Sequence, residues 1–239
     1  MISELNFDSQ IFDLNVGKLE ITNTNFQIDH KDLNKYDLVY VFSNAKLDGL
    51  DHKWVDTKLT FDLEVNNSIS QATINRNEKV SIFNIDIHDF TSLKKLAFLS
   101  GIYSRFKQDK NLPSNCFYDL YTFWIKKSIN PESPDKVFVY TLPRQNEKVL
   151  GFLSVKIENN VGIIDLMAID NNHQGLGIGR NLLNYSLIYL KKSNIELLKV
   201  STQLINTGAV LFYKKYSFDE SSREYIYHLW PKKSHLINQ

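Results

Sequence analysis

The sequence predicts a mixed α/β fold, in which helices cover the faces of a mixed sheet and an N-terminal α/β region comes first. Three observations support this prediction. Short apolar runs alternate with amphipathic helical segments in the second half, a glycine-rich loop joins one strand to one helix, and a polar segment with two prolines separates the halves. Hydrophobic residues are 43% of the 239 residues and charged residues 23%, so the chain can bury a sizeable core.

The first half contains three predicted strands, at residues 12–21, 38–42 and 54–61. The second strand reads Leu-Val-Tyr-Val-Phe, which is typical of a strand buried on both faces. The third strand alternates between polar and apolar residues, as a half-buried strand does. We therefore expect sheet structure on the N-terminal side of the chain as well.

Two helices are predicted next, at residues 89–103 and 116–129. Apolar residues recur at helical spacing in the first, and Thr91 is its expected N-cap. The second helix carries an apolar stripe, which favours packing against a core over ligand binding. The stripe consists of Phe117, Leu120, Tyr121, Trp124 and Ile125.

The clearest break is the segment 130–135, Asn-Pro-Glu-Ser-Pro-Asp, which has two prolines and four polar residues. We place a domain boundary there. Residues 1–130 would form an N-terminal α/β domain on the acceptor side, and residues 131–239 a catalytic domain.

The second half has a regular pattern of strands and helices. Strands are predicted at residues 137–142, 149–157, 161–169, 197–203 and 225–230. Turns are predicted at 144–148 and 158–160, and helices at 178–192 and 207–216. The order of elements predicts a mixed sheet with helices on its faces. Hairpins come first, followed by a strand, the glycine loop, a helix, a strand, a helix and a last strand.

The loop between the third of these strands and the helix reads Gln174-Gly175-Leu176-Gly177-Ile178-Gly179. Its glycines allow close approach of a ligand to the backbone, and the following helix presents free N–H groups and the positive end of its dipole. A pyrophosphate would be stabilised there. The glycine spacing fits neither a dinucleotide fingerprint nor a Walker loop. A tight turn without a ligand stays open as an alternative.

Together with the preceding apolar strand, this loop resembles the central motif of the GNAT acetyltransferases. That motif is Gln/Arg-x-x-Gly-x-Gly/Ala, and Gln174, Gly177 and Gly179 match it. The resemblance implies the GNAT acyl-CoA N-acyltransferase fold, with acetyl-CoA as the cofactor of an N-acetyltransferase.

A second motif follows at the spacing of that superfamily. Asn206, Ala209, Tyr213 and Phe218 are similar to its Asn-x-x-Ala-x-x-x-Tyr-x-x-x-Gly-Phe, with Ser217 where glycine is usual. The departure affects the end of a helix and no reacting group.

The resemblance implies a role for each matching residue. The backbone of the strand would pair with the pantetheine arm, the loop amides would hold the pyrophosphate, and Asn206 would contact the cofactor arm. The strand residues are Leu166, Met167 and Ala168. The loop residues are Gln174, Gly175, Leu176, Gly177, Ile178, Gly179 and Arg180.

Tyr213 would lie near the sulfur and protonate the departing thiolate, because a phenol with pKa about 10 can donate to a thiolate whose conjugate pKa is about 8.5. The alternative is an aromatic residue that packs its helix on the sheet. The general base is left open: Asp165 and Glu158 are candidates that could equally be solvated turn residues, and His173 is more typical of a structural histidine.

The first half also resembles TDP-fucosamine acetyltransferases, which acetylate the 4-amino group of a nucleotide-linked 4-amino-4,6-dideoxygalactose. Short segments carry this likeness. They are residues 5–19, 50–61, 104–109 and 117–125, with Asp13 in place of a usual glycine and Phe7 in place of tryptophan. The resemblance implies a dTDP-linked 4-amino-4,6-dideoxyhexose of cell-surface glycan synthesis as acceptor.

Such an acceptor suggests three substrate residues. Arg105 could meet the diphosphate in a bidentate contact, and an exposed Phe106 or Tyr118 could stack on thymine. The alternative is that Arg105 caps a helix end and both aromatic rings lie in the core.

Other functions remain open at this stage. A GNAT enzyme could act on a protein N-terminus or small amine, although a first half of some 130 residues favours a more specialised acceptor. A non-catalytic acyl-CoA sensor would not need both Asn206 and Tyr213.

Composition narrows the partners. Net charge is +1, which gives no reason to expect nucleic acid or a membrane as partner, and the abundant aromatic residues are compatible with a homodimer. One cysteine and six scattered histidines indicate neither a disulfide nor a metal site. Without a signal-like start or an apolar run of spanning length, we expect a cytoplasmic protein.

Overall fold

The computed structural model describes residues 1–22, 28, 30–50, 53–68, 79–142 and 147–233. Within these ranges there are ten strands and eight helices. The strands are β1 Ser3–Glu4, β2 Val16–Ile21, β3 Leu38–Ser43, β4 Trp54–Glu64, β5 Val80–Ile82, β6 Lys136–Tyr140, β7 Gly151–Glu158, β8 Val161–Ile169, β9 Leu197–Gln203 and β10 Asp219–Leu229. The helices are α1 Asn6–Phe12, α2 His30–Leu33, α3 Val65–Ser68, α4 Phe90–Ser100, α5 Arg105–Gln108, α6 Ser114–Ser128, α7 Ile178–Lys192 and α8 Thr207–Lys215.

All ten strands belong to one mixed sheet, in the order β1-β2-β3-β10-β4-β9-β8-β7-β6-β5. The pairs β2–β3 and β8–β9 are parallel, and the other neighbours are antiparallel. The mixed α/β class that the sequence predicts is confirmed.

Helices cover both faces of this sheet. Alternate residues of a strand point to opposite faces, and β6 shows the division. Val137 and Val139 pack in a core with α1, α4 and α6, whereas Phe138 and Tyr140 pack in a second core with α7. None of the helices within the described ranges is long and apolar enough to cross a membrane.

The predicted elements around the glycine loop agree with the structure. The bounds of β8, α7 and β9 are those that the sequence predicts, and β6, β7 and α8 differ by a few residues. The turn between β7 and β8 is confirmed by positive φ angles at Asn159 (49°) and Asn160 (62°), which suit a two-residue hairpin. The predicted turn at 144–148 falls partly outside the described residues.

Three predictions of where an element begins or ends need correction. Phe12 ends helix α1 instead of beginning a strand, because Asp13 takes a left-handed φ of 53° and its N–H donates to Ser9 O. The N-cap of α4 is Asp89 and not Thr91, since the Asp89 carboxylate accepts the N–H groups of Thr91 and Ser92 at 2.8 and 2.9 Å. Strand β10 begins at Asp219, six residues before the predicted start.

The sheet crosses the predicted boundary at residue 130. Strand β4, from the first half, lies between β9 and β10 of the second half, and it pairs with both. The segments 1–130 and 131–239 therefore share one sheet. That they are separate domains stays a prediction.

Candidate functional site

Strands β8 and β9 separate halfway along their length. They pair only from Val161–Ile164 to Leu197–Val200. Beyond that point β9 continues beside β4, and β8 continues beside β7. Within the described part of the chain, the second edge of β8 has no strand partner from Asp165 onward. That edge offers backbone groups to an extended ligand, as an additional strand would use them.

A β-bulge in the β7–β8 ladder accompanies this separation. Leu153 pairs with Met167 but Val155 pairs with Ile164, so Ser154 lies opposite two residues of β8. Ser154 Oγ accepts the Leu166 N–H at 2.9 Å and donates to Leu166 O at 3.3 Å. The bulge reverses the alternation, because Ile164 packs on the α7 side and Leu166 on the α4 side.

The glycine loop closes the same region. Gly175 and Gly177 have φ angles of 77° and 79°, which side-chain-bearing residues rarely adopt. A Cβ atom at Gly175 would meet nothing within 4 Å, so open space lies above the loop. Gly179 is needed for packing, since its Cβ position is 3.0 Å from Phe212 and 3.3 Å from Met167. The loop thus combines an open backbone with a tightly packed helix start.

Helix α7 begins directly after this loop. Gly177 is its N-cap and provides no side-chain cap, so the first-turn N–H groups remain available to an anion. Arg180 lies in the first turn with an exposed side chain. A diphosphate placed there would meet backbone donors, a helix dipole and one cation.

These features border one cleft of about 600 Å³. Most of the residues predicted to hold the cofactor line it. They are Met167, Ala168, Gln174, Gly175, Gly177, Ile178, Gly179, Arg180 and Asn206, together with Tyr213. Two predicted residues do not line it: Leu166 lies in the core and its amide is bound to Ser154, and the Leu176 side chain is 68% exposed.

The cleft has further walls that the sequence did not indicate. They are Leu99 and Ser100 at the end of α4, Ile102 and Tyr103 just after it, and Lys215 and Tyr216 at the end of α8. Ile102 and Tyr103 lie in the segment predicted as helix, and no motif marks them. Lys215 could have been predicted from the sequence as a residue near the cleft, since it follows Tyr213 of the second motif by two positions.

Tyr213 is buried where these walls meet. Its ring packs against Phe61, Phe212 and Phe218, and its hydroxyl lies 4.0 Å from the Met167 sulfur. Burial raises the pKa of Tyr213, so the hydroxyl keeps its proton at neutral pH. A protonated phenol therefore forms part of the cleft wall.

Asn206 combines a structural contact with a place in the cleft. Its Oδ1 accepts the Ala209 N–H at 3.2 Å and caps α8. The cap uses only the oxygen, so the NH₂ group is left to donate to a ligand.

The sequence model of the acetyltransferase (GNAT) family matches residues 99–218, half of the chain. The chain belongs to the GNAT family. The match includes the end of α4 with the residues that follow it, strand β8, the glycine loop and helix α8 with Tyr213. The GNAT fold predicted from the two motifs is confirmed, and GNAT proteins use acetyl-CoA.

Individual relatives agree with the family. Spore coat polysaccharide biosynthesis protein SpsD of Bacillus subtilis (strain 168) is 26% identical over 145 residues, which are 61% of this chain and 49% of that protein. The chain thus spans about half the length of this curated relative.

Solved structures share the fold. A functionally unknown conserved protein from Staphylococcus epidermidis ATCC 12228 superimposes with a TM-score of 0.68, at 10% identity, over 93% of this chain and 88% of that one. Saccharomyces cerevisiae N-myristoyltransferase, solved with myristoyl-CoA and inhibitors, gives a TM-score of 0.50 at 15% identity over 84% and 53%. At these identities the likeness concerns the fold alone.

The candidate bases of this GNAT chain lie in different places. Glu158 is at the far end of β7, where it pairs with Lys156 at 3.0 Å, and it does not line the cleft. His173 lines the cleft beside the glycine loop, and its Nδ1 is 2.7 Å from Asp170 Oδ1. The hydrogen bond from His173 lowers the pKa of Asp170.

Asp165 occupies the bulge on β8, two residues before Met167. The residue retains an exposed surface, yet desolvation by the surrounding protein raises its pKa, against the opposing charges of Lys156 and Lys127. Its carboxylate is therefore a stronger base than that of an ordinary aspartate.

The three predicted acceptor residues are not together in the cofactor cleft. Phe106 is 7% exposed and lies in the core against Phe12 and Trp124, so it cannot stack on a base as expected. Tyr118 is exposed, and its hydroxyl accepts from Lys107 Nζ at 3.2 Å. Arg105 is partly buried, with its guanidinium over aromatic rings.

Proposed function

We propose that this protein is an acyl-CoA-dependent N-acetyltransferase, which moves an acetyl group from acetyl-CoA to an amine. One observation carries the proposal: an unpaired strand edge, an anion-binding helix start and a buried tyrosine border the same cleft. A sensor would require the first two features but not the third.

The residues present fit the cofactor. The backbone of Met167 and Ala168 lies along the free edge of β8 and would bind the pantetheine arm. The amides from Gln174 to Gly179 and the Arg180 side chain would hold the diphosphate, and Asn206 would donate its NH₂ group to the arm. The cofactor supplies an activated acetyl thioester, whose carbonyl carbon is open to attack by a neutral amine.

Tyr213 would act as the general acid. When an amine takes up the acetyl group, the Tyr213 hydroxyl would supply a proton to the leaving thiolate. The buried hydroxyl holds that proton because burial disfavours the phenolate.

Asp165 is the base that we favour among the three candidates. Before attack, the acceptor ammonium must lose a proton, and a carboxylate of raised pKa can take it directly or through water. Asp165 lies on the strand that borders the cleft, although it is not among the residues that line it. Glu158 is at the far end of β7, and His173 would be beside the diphosphate.

For the acceptor we propose the 4-amino group of a dTDP-linked 4-amino-4,6-dideoxyhexose. The resemblance of the first half to acetyltransferases of that sugar supports it, and so does a relative whose name places it in spore coat polysaccharide biosynthesis. A protein N-terminus or a small amine is the competing acceptor class.

A thiol-release assay tests both parts of the proposal. Acetyl-CoA is combined with dTDP-4-amino-4,6-dideoxyhexoses, small amines and N-terminal peptides, and free CoA is measured. We expect release with the amino-sugar nucleotides alone. Release with peptides or simple amines only would support the acetyltransferase activity but contradict the proposed amino-sugar acceptor. Binding of acetyl-CoA without release for any acceptor would favour the sensor.

A further inference from the structure

Five buried side-chain atoms that lie near one another have no partner at full hydrogen-bonding geometry within the described part of the chain. They are Tyr40 Oη, Asp56 Oδ1, Ser104 Oγ, Arg105 Nε and His228 Nε2. Two of them have a weaker polar neighbour, since the Tyr40 hydroxyl interacts with the Asp8 carboxyl and the Ser104 hydroxyl with Tyr121. Buried polar atoms are normally satisfied, so such a concentration calls for a ligand or for a structural reason. We name these five residues the Arg105 cluster.

Contacts tie the cluster together. The rings of Tyr40 and His228 are 4.7 Å apart, and Arg105 Cζ lies 4.9 Å from the centre of the Tyr40 ring. Asp56 of β4 pairs with Ile226 of β10, two residues before His228. The charge of Arg105 also acts on Asp56 and His228. The members thus come from β3, β4, β10 and the start of α5.

Arg105 is held by stacking instead of by ion pairs. Its guanidinium lies over the rings of Tyr40, Phe42 and Phe106, at 4.9, 5.7 and 4.2 Å. Its charge is felt at Asp8, but no described carboxylate comes within salt-bridge distance of it. Aromatic stacking orients the guanidinium and leaves its hydrogen-bonding edge unused.

The unused atoms include both donors and acceptors. Arg105 Nε donates, Asp56 Oδ1 accepts, and the hydroxyls of Tyr40 and Ser104 can do either. His228 Nδ1 is 2.6 Å from Asp109 Oδ2, and burial lowers the pKa of His228, which favours a neutral ring with Nε2 as acceptor. Such a mixture matches a ring that carries several hydroxyl groups.

The charges around the cluster favour a ligand that also carries an amine. Three carboxylates, of Asp8, Asp56 and Asp109, lie around Arg105, and Lys58 is a second cation that acts on Asp56. An excess of negative charge attracts an ammonium group and disfavours a diphosphate. The contact between Arg105 and a diphosphate that the sequence suggested is therefore less favourable than a contact with sugar hydroxyls.

The cluster adjoins the cofactor cleft. Ser104 and Arg105 directly follow Ile102 and Tyr103, which line the cleft. At the other side Asp8 and Arg105 are only partly buried, so the cluster reaches the surface. A ligand in this position could extend from solvent toward the cleft.

We propose that the Arg105 cluster binds the hydroxyl-rich, amine-bearing ring of the acceptor, with Tyr40 and Asp56 as specificity-determining residues. This inference rests on the proposed acetyltransferase function. The five atoms are out of contact with solvent, so entry of the ring requires the Arg105 side chain to move. Such a movement would break the stacking of Arg105 on Tyr40, Phe42 and Phe106, but no ion pair with a described carboxylate.

Two substitutions of nearly unchanged shape test the site: Tyr40→Phe and Asp56→Asn. The matched control is Asp62→Asn on the same strand, whose carboxylate is occupied by Lys199 at 3.1 Å and Ser221 at 2.8 Å. For each protein we would measure kcat and KM with dTDP-4-amino-4,6-dideoxy-D-galactose, Kd for acetyl-CoA, and Tm.

We expect both test variants to raise the acceptor KM by about 10-fold or more, the effect of losing one or two buried hydrogen bonds to a ligand. Their Kd for acetyl-CoA should stay within about twofold of wild type, and Tm should not fall, because each change removes a group that lacks a partner at full hydrogen-bonding geometry. The control should keep the wild-type KM.

An unchanged acceptor KM in both test variants would overturn the proposal, as would a fall in Tm that accounts for the loss of activity. If wild type releases no CoA with any amino-sugar nucleotide, the proposed function fails separately. Calorimetric titration with the same nucleotide sugar then tests whether the Arg105 cluster binds the sugar. Binding that both variants weaken would support the proposal, and no binding to wild type would reject it.

Discussion

The cofactor cleft and the Arg105 cluster differ in what they are made of. The cleft offers mainly backbone groups, from the edge of β8, the glycine loop and the start of α7. The Arg105 cluster offers side-chain atoms from four elements that are up to 188 positions apart in sequence, between Tyr40 and His228. Backbone groups suit a cofactor shared by a whole family, whereas side chains can change with the acceptor. The two regions should therefore respond differently to substitution.

The largest expected effect concerns the reacting end of the cleft. Tyr213→Phe should lower kcat by about 100-fold to 1000-fold, because it removes the proton donor. Kd for acetyl-CoA should remain near wild type, since the phenyl ring still packs against Phe61 and Phe218. Single-turnover assays and acetyl-CoA titration would measure the two quantities.

A matched control for that change is Tyr185→Phe, whose ring packs on Phe138 outside the cleft. It should retain wild-type kcat. Equal turnover of Tyr213→Phe and wild type would show that Tyr213 is not the general acid. The cleft would then be supported only as a binding site.

The next effect concerns the proton acceptor. Asp165→Asn should lower kcat/KM by about 10-fold to 100-fold and remove the acidic limb of its pH profile. The limb should lie above the usual aspartate range, because desolvation raises the pKa of Asp165. Glu158→Gln, at the end of β7, is the control. An unchanged pH profile of the Asp165 variant would leave the general base unassigned.

The Arg105 cluster should reveal itself through stability. Burial raises the pKa of Asp56 to about 6, against the charges of Arg105 and Lys58 and the Thr57 N–H, so the folded state disfavours the charged carboxylate. Between the unfolded pKa near 4 and the folded pKa near 6, the native state binds more protons, and stability falls as pH rises.

Asp56→Asn should consequently be more stable than wild type by about 2 kcal/mol above pH 6, with the difference shrinking toward pH 4. Urea unfolding of both proteins across this pH range measures it. A difference that grows on acidification would show that Asp56 is stabilised as a carboxylate and that the cluster is a structural network.

The smallest expected effect concerns the glycine loop, where a pair of variants distinguishes backbone strain from contact with the ligand. Gly177→Ala and Gly49→Ala both place a side chain at a positive φ, 79° and 78°, and each should cost about 1 kcal/mol of stability. Only Gly177→Ala should also weaken acetyl-CoA binding, by about 10-fold, because Gly49 is outside the cleft. Equal affinities would mean that the loop does not contact the cofactor.

Sequence reasoning worked best where neighbours in the chain are also neighbours in space. The run from β8 through the glycine loop to α7 is local, and both its element bounds and most of its cleft residues were predicted. It worked less well for Leu166, because the bulge at Ser154 depends on pairing with another strand. Phe106 was misplaced for a related reason, since its exposure is decided by Phe12 and Trp124.

By itself the sequence determined the mixed α/β class, the GNAT family through its two motifs, and the glycine loop that borders the cleft. Each of these depends on local pattern: alternation, glycine placement and helix spacing. Only the tertiary structure decided that β4 enters the sheet between β9 and β10, that β8 separates from β9, and that five buried polar atoms without a full hydrogen bond meet around Arg105. Those features arise from contacts between distant segments, whose geometry is set by packing of the whole sheet.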